Sequence, residues 1–236
     1  MTAPAITIRH LSKSYGALPA LQDLNLTLRG GQIVGLLGEN GCGKTTLLKV
    51  IAGALSQWRG DVEIHGHRPG PESKAIVSFL PDASFLADGD TIDDCIAQYR
   101  DFFADFQESK CRDLVRFFGL DTGRKLATLS KGMREKAQIA LAMSRDAKVF
   151  LLDEPISGVD PAARDVLLEA IVRDLPEDAL VLISTHLIHD LEPVLDAVAF
   201  MRFGTILLSG EVDDLREQHG NSIDQLFREV YKWSAR

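Results

Sequence analysis

Gly38-Glu39-Asn40-Gly41-Cys42-Gly43-Lys44-Thr45-Thr46 decides how this chain folds. The stretch satisfies GxxxxGK[ST], directly after the apolar run Ile33 to Leu37 and directly before a helical pattern from Thr46 to Ala54. A strand, a glycine loop and a helix in that order form a phosphate cradle. The glycines let the backbone curl until its N–H groups point inward at phosphate oxygens, and the N-terminus of the next helix adds positive field. Gly38, Glu39, Asn40, Gly41, Cys42, Gly43 and Thr46 would surround the phosphates. Lys44 supplies a point charge for the β and γ phosphates, and Thr45 offers a hydroxyl to Mg²⁺. Cys42 has two readings: a thiol activated by the helix N-terminus, or a small filler.

Farther along, Val149-Phe150-Leu151-Leu152-Asp153-Glu154 is an apolar strand ending in two acids, where a parallel sheet opens its ligand crevice. Asp153 can hold Mg²⁺ through water. Glu154, on the opposite side of an extended chain, can accept a proton from an attacking water. The other continuous apolar runs, Ile33 to Leu37 and Leu180 to Ser184, are likewise followed by helical patterns, which is how a covered parallel sheet is written. Between Ala5 and Leu28 the pattern alternates instead, with Ile6, Ile8, Leu24, Leu26 and Leu28 on one face of an antiparallel edge sheet. From Pro81 to Lys148 helical spacing takes over, through Ile92, Ile96 and Tyr99, then Leu114, Val115 and Phe118. The expectation is one α/β domain over 1–236, with an inserted helical subdomain at about 83–147. Leu215, Ile223, Leu226, Phe227 and Val230 predict closing helices at about 211–236.

The 236 residues are 45% apolar, enough for a sizeable core. A net charge of -8, from 26 basic and 34 acidic residues, argues against a sequence-independent grip on nucleic acid. Three cysteines without a CxxC spacing support neither a disulfide framework nor a zinc site, and fit a reducing cytosol. The opening residues lack a secretory pattern, and no run reaches the roughly 18 apolar residues a membrane helix requires.

Leu129-Ser130-Lys131-Gly132-Met133 opens a helical pattern ahead of Asp153, and a serine hydroxyl, a glycine backbone and a helix N-terminus make a second anion site. This segment resembles the LSGGQ signature of ABC transporter nucleotide-binding subunits. With it the chain is similar to that family over nearly its whole length, in particular to bacterial exporter-like members. The resemblance implies a P-loop NTPase core. It also makes Ser157-Gly158-Val159-Asp160 a D-loop, His186 the switch histidine that meets the γ phosphate, and Tyr15 the aromatic that stacks on adenine. By the same resemblance two such subunits, identical or different, pack head to tail. Each ATP then lies between the phosphate loop of one and Ser130, Lys131 and Gly132 of the other, with Asp160 beside it.

Lys131 and Met133 depart from the signature, and Asp82 stands where the family has a Q-loop glutamine, which would place a carboxylate near Mg²⁺. The implied function is MgATP hydrolysis that powers transport, in the export direction, through separate membrane-spanning subunits, with the chain bound to the cytoplasmic face of the membrane. The rival is a soluble ABC ATPase acting on ribosomes or DNA; one cassette, no long coiled coil and an acidic balance speak against it. A catalytically silent cassette would not need Lys44, Asp153, Glu154 and His186 together.

Overall fold

Apolar runs that continue without a polar break are buried on both faces, whereas alternating ones cover one side only. A computed structural model describes residues 4–173 and 175–233 and contains both kinds. The 1–236 span read from the sequence therefore ends outside the described residues. In chain order, β1 (Pro4–Tyr15), β2 (Leu18–Arg29) and β3 (Gln32–Leu37) lead into α1 (Lys44–Ile51), β4 (Arg59–Ile64), α2 (Pro71–Ile76) and β5 (Val77–Leu80). Three helices follow: α3 (Ile92–Phe102), α4 (Glu108–Phe117) and α5 (Lys131–Met143). Then come β6 (Val149–Asp153), α6 (Pro161–Val172), β7 (Leu180–Thr185), α7 (Ile188–Leu191), β8 (Ala197–Arg202), β9 (Thr205–Glu211), α8 (Val212–His219) and α9 (Ile223–Trp233).

The strands form two sheets. One is antiparallel in the order β2-β1-β4; the other runs β5-β6-β7-β3-β8-β9, parallel except for β9. In the antiparallel sheet Ile6, Ile8, Leu24, Leu26 and Leu28 are buried, as their alternation predicts. The period slips in both strands: His10, at φ 52°, bulges out and passes the buried place to Leu11, and Asp23, at φ 45°, does the same between Leu21 and Leu24.

Strand parity divides the core of the larger sheet. Val149 and Leu151 of β6, with Leu180 and Leu182 of β7, face α1 and the antiparallel sheet. Phe150 and Leu152, with Val181 and Ile183, face the helices on the other side. That second layer takes Ile92 and Ile96 from α3, Leu114 and Val115 from α4, and Leu215, Ile223 and Leu226 from α8 and α9. The α/β class with a parallel sheet, an antiparallel sheet and inserted helices is the architecture observed.

Some details differ from the sequence reading. The helix expected over Thr46 to Ala54 runs from Lys44 to Ile51, because Gly43 caps it from a left-handed conformation and Gly53, at φ +65°, ends it. Strands β4, β5, β8 and β9 were not anticipated: β5 has only four residues, and β4 only two apolar ones.

Candidate functional site

The phosphate-loop stretch spans the gap between β3 and α1. Gly43 is held at φ +113°, and a Cβ there would lie 2.6 Å from the Ala20 carbonyl oxygen and 2.7 Å from Met201 Cε, so only glycine fits. The Lys44 side chain is buried and turned back on its own loop. Its Nζ donates to the carbonyls of Gly38 (2.7 Å) and Glu39 (3.2 Å) and lies 3.3 Å from Glu154 Oε1.

The parity that buries Val149 and Leu151 on the α1 side also sends Asp153 there. Ser184 lies opposite Asp153 in the β6–β7 register and points the same way. Asp153 Oδ1 therefore accepts from Thr45 Oγ1 at 3.1 Å and from Ser184 Oγ at 2.6 Å. Its other oxygen, Oδ2, is buried with no hydrogen-bond partner.

Glu154 is not extended, as the sequence reading assumed. It sits at φ +50°, a conformation that costs a non-glycine residue about 1–2 kcal/mol. Its N–H donates to Ser184 O and Ser184 Oγ, both at 3.1 Å, and this turn swings the side chain away from Asp153. There Glu154 Oε2 meets His186 Nδ1 at 2.9 Å, while Oε1 approaches Lys44 without hydrogen-bond alignment.

A cleft of about 430 Å³ opens over these groups, lined by Tyr15, Lys44, Thr45, Thr46, Asp82 and Glu154, with Asn40, Gly41 and Gly43 from the loop. Tyr15 is half exposed at the end of β1, with Lys13 Nζ 5.3 Å from its ring centre. Gly38, Glu39 and Cys42 do not line the cleft. The Cys42 thiol is buried in the core, and burial pushes its pKa up despite the pull of Lys44 and of backbone N–H groups. Thr45 Oγ1 and the two Asp153 oxygens suit a hard divalent cation, and the orphaned Oδ2 is a lone pair left open for one.

Ser130, Lys131, Gly132 and Asp160 lie outside this cleft. Ser130 caps α5, its Oγ accepting from Met133 N at 3.3 Å. The Lys131 side chain is largely exposed and pairs with Glu135 Oε1 at 3.6 Å. Both tips crowd Gly158, where no Cβ would fit without moving them.

Sequence reasoning missed three polar residues near the acid pair. Ser184 closes the apolar run of β7. Glu135 and Gln138 project from the same face of α5 as Lys131, and burial raises the Glu135 carboxyl above its usual range. Gln138, a lone amide in the run Ala137 to Met143, was the available signal.

A family model described as ABC transporter matches residues 21–157. An uncharacterized ABC transporter ATP-binding protein of Rhizobium meliloti (strain 1021) is 33% identical, over 88% of this chain and 80% of that protein. The daunorubicin resistance ATP-binding protein of Streptomyces coeruleorubidus is 29% identical, over 100% of this chain and 77% of its own. Among solved structures, that of an ATP binding subunit of an ABC transporter superposes with a TM-score of 0.86 at 30% identity, over 96% of this chain and 99% of that one.

Proposed function

The chain belongs to the ABC transporter family, and from that premise we propose that its cleft holds MgATP between Tyr15 and the acid pair and hydrolyses it to drive transport. It is an ATP-binding transporter subunit and an ATPase. The observation that carries the assignment of the site is the unpartnered Asp153 Oδ2 beside the Thr45 hydroxyl, one turn from a carboxylate gripped by Lys44 and His186.

In this reading the Lys44 ammonium leaves the Gly38 and Glu39 carbonyls for the phosphates, and the loop N–H groups close around them. Thr45 and Asp153 would hold Mg²⁺, with Asp82 contributing a further carboxylate. The ion, when bound, neutralises charge on the β and γ phosphates. Glu154, oriented through Oε2 by His186, accepts a proton from water as the water oxygen bonds to the γ phosphorus. The bond from that phosphorus to the bridging oxygen breaks, giving ADP and phosphate. Tyr15 stacks on the adenine at the cleft mouth.

The subunit works with membrane-spanning subunits. Among the described residues no helix is long and apolar enough to cross a membrane. Export fits the similarity to a daunorubicin resistance protein. Ser130 at the N-cap of α5, with Lys131 and Gly132 in its first turn, would meet the ATP held by a second subunit, as would Asp160. The helices between β5 and β6 would receive the push of the closing pair. Replacing Glu154 by Gln keeps its shape and removes the base, so turnover should fall by roughly 10²–10⁴-fold while ATP still binds. Wild-type turnover by this variant would end the proposal.

A further inference from the structure

Behind the acid pair, on the side of α5, is a small, partly open pocket of about 10 Å³, room for about one water molecule. Asp82, Glu135, Gln138, Asp153 and Glu154 contribute to its wall. Four oxygens of these side chains are buried with no hydrogen-bond partner: Glu135 Oε2, Gln138 Oε1, Asp153 Oδ2 and Glu154 Oε1. Apart from the Lys44 ammonium 3.3 Å from Glu154 Oε1, these oxygens meet no donor. Gln138 carries the single side-chain N–H donor among the residues lining it.

Gln138 is 4% exposed, deep in a helix whose neighbouring positions, Ala137 and Ile139, pack in the core. A buried amide with an unsatisfied oxygen is costly unless something completes it. Asp82, in turn, lines both this cavity and the larger nucleotide cleft. A carboxylate at that place can accept from water but cannot donate to another carboxylate.

We infer that Gln138 is a positioning residue which supplies, from α5, the neutral amide that the Pro81–Asp82 turn lacks. Its NH₂, across the pocket from the Asp82 carboxylate, would donate to it, and its unpartnered Oε1 would accept from a water held between Asp153 and Glu154. The amide thereby holds Asp82 and that water in register with the Mg²⁺ ligands. Because Gln138 stands two turns from Ser130 on the same helix, a shift of α5 moves the amide at the acid pair. This rests on the proposed MgATP site.

The test compares wild type, Gln138→Met, and Gln138→Met with Asp82→Gln. Methionine conserves volume, so the variant should fold, and its melting temperature reports any purely structural role. Calorimetry of ATP binding across a Mg²⁺ titration should show the midpoint for Gln138→Met raised about tenfold, the scale typical for supports of metal ligands. kcat should fall while KM for MgATP moves little. Adding Asp82→Gln returns an amide to the cavity from its other wall and should bring the midpoint back toward wild type. A superimposable Mg²⁺ titration for Gln138→Met, or a double variant no better than the single one, overturns the inference. Wild-type protein that binds no MgATP would remove the site assignment, and this inference with it.

Discussion

Lys44 donates to two carbonyls of its own loop and faces Glu154, which keeps its charge within a few ångströms of the proposed phosphate position. Lys44→Ala removes one charge-assisted contact, a kind worth roughly 1.5–3 kcal/mol, and ATP affinity by calorimetry should fall accordingly. Unchanged affinity would refute the placement of the phosphates. Cys42 behaves differently from what its position in the motif suggests. A helix N-terminus lowers a thiol pKa only where the sulfur faces it from solvent, and this one is buried and raised. Cys95 and Cys111 are buried too, and burial pushes them to about 11 and about 12. Maleimide should therefore label all three slowly in the native protein and rapidly in urea. Fast native labelling that ATP blocks would restore the reactive reading. Both acids were legible because a charged pair at the end of an apolar strand has few other uses. What stayed hidden was their separation: a left-handed Glu154 leaves no mark on hydrophobic period.

At the level of elements, α5 would join the two halves of the proposed chemistry. Its N-terminus carries Ser130, its first two turns carry Lys131 and Glu135 against Gly158, and Gln138 follows beside the acid pair. One turn later the Ala142 carbonyl accepts from Ser78 of β5 at 2.7 Å. Hydrophobic spacing announces that helix but not which residues of its polar face are buried, since that depends on a loop returning from a distant strand. Arg145, just past α5, was equally illegible. Its guanidinium donates to Asp105 (2.7 Å) and to the carbonyls of Val77 (3.1 Å) and Ala75 (3.0 Å), and lies 4.0 Å from the Phe103 ring centre. It ties the inserted helices to the edge of the sheet. Removing one partner of a buried pair leaves the other uncompensated, so Arg145→Met should cost roughly 3–5 kcal/mol. The denaturation midpoint in urea measures this, and a loss within 0.5 kcal/mol, the ordinary range of about ±0.5 for surface changes, would show the anchor to be idle.

For the molecule as a whole, the proposed pairing of two subunits makes a prediction that no single site can. If ATP bound at Lys44 is completed by Ser130 of a second chain, Glu154→Gln should run as a dimer in ATP and as a monomer in ADP. Adding Ser130→Arg, a long cation in place of a cap, should abolish that shift on size-exclusion chromatography. A shift that survives Ser130→Arg would reject the arrangement. The parallel core was readable from its unbroken apolar runs; the strand order was not, because register and neighbours are set by contacts far apart in sequence. β5 and β6 illustrate this, lying side by side although α3, α4 and α5 intervene. That detour matters most when the chain folds. Closing a long excursion costs entropy that rises only with the logarithm of its length, but the contacts that repay it arrive last. Until β5 docks, the apolar edge of β6 from Val149 to Leu152 stays open to the same strand of any neighbouring chain. Recovery from denaturant should therefore depend on protein concentration more steeply than on temperature, with dilution favouring the native strand as partner.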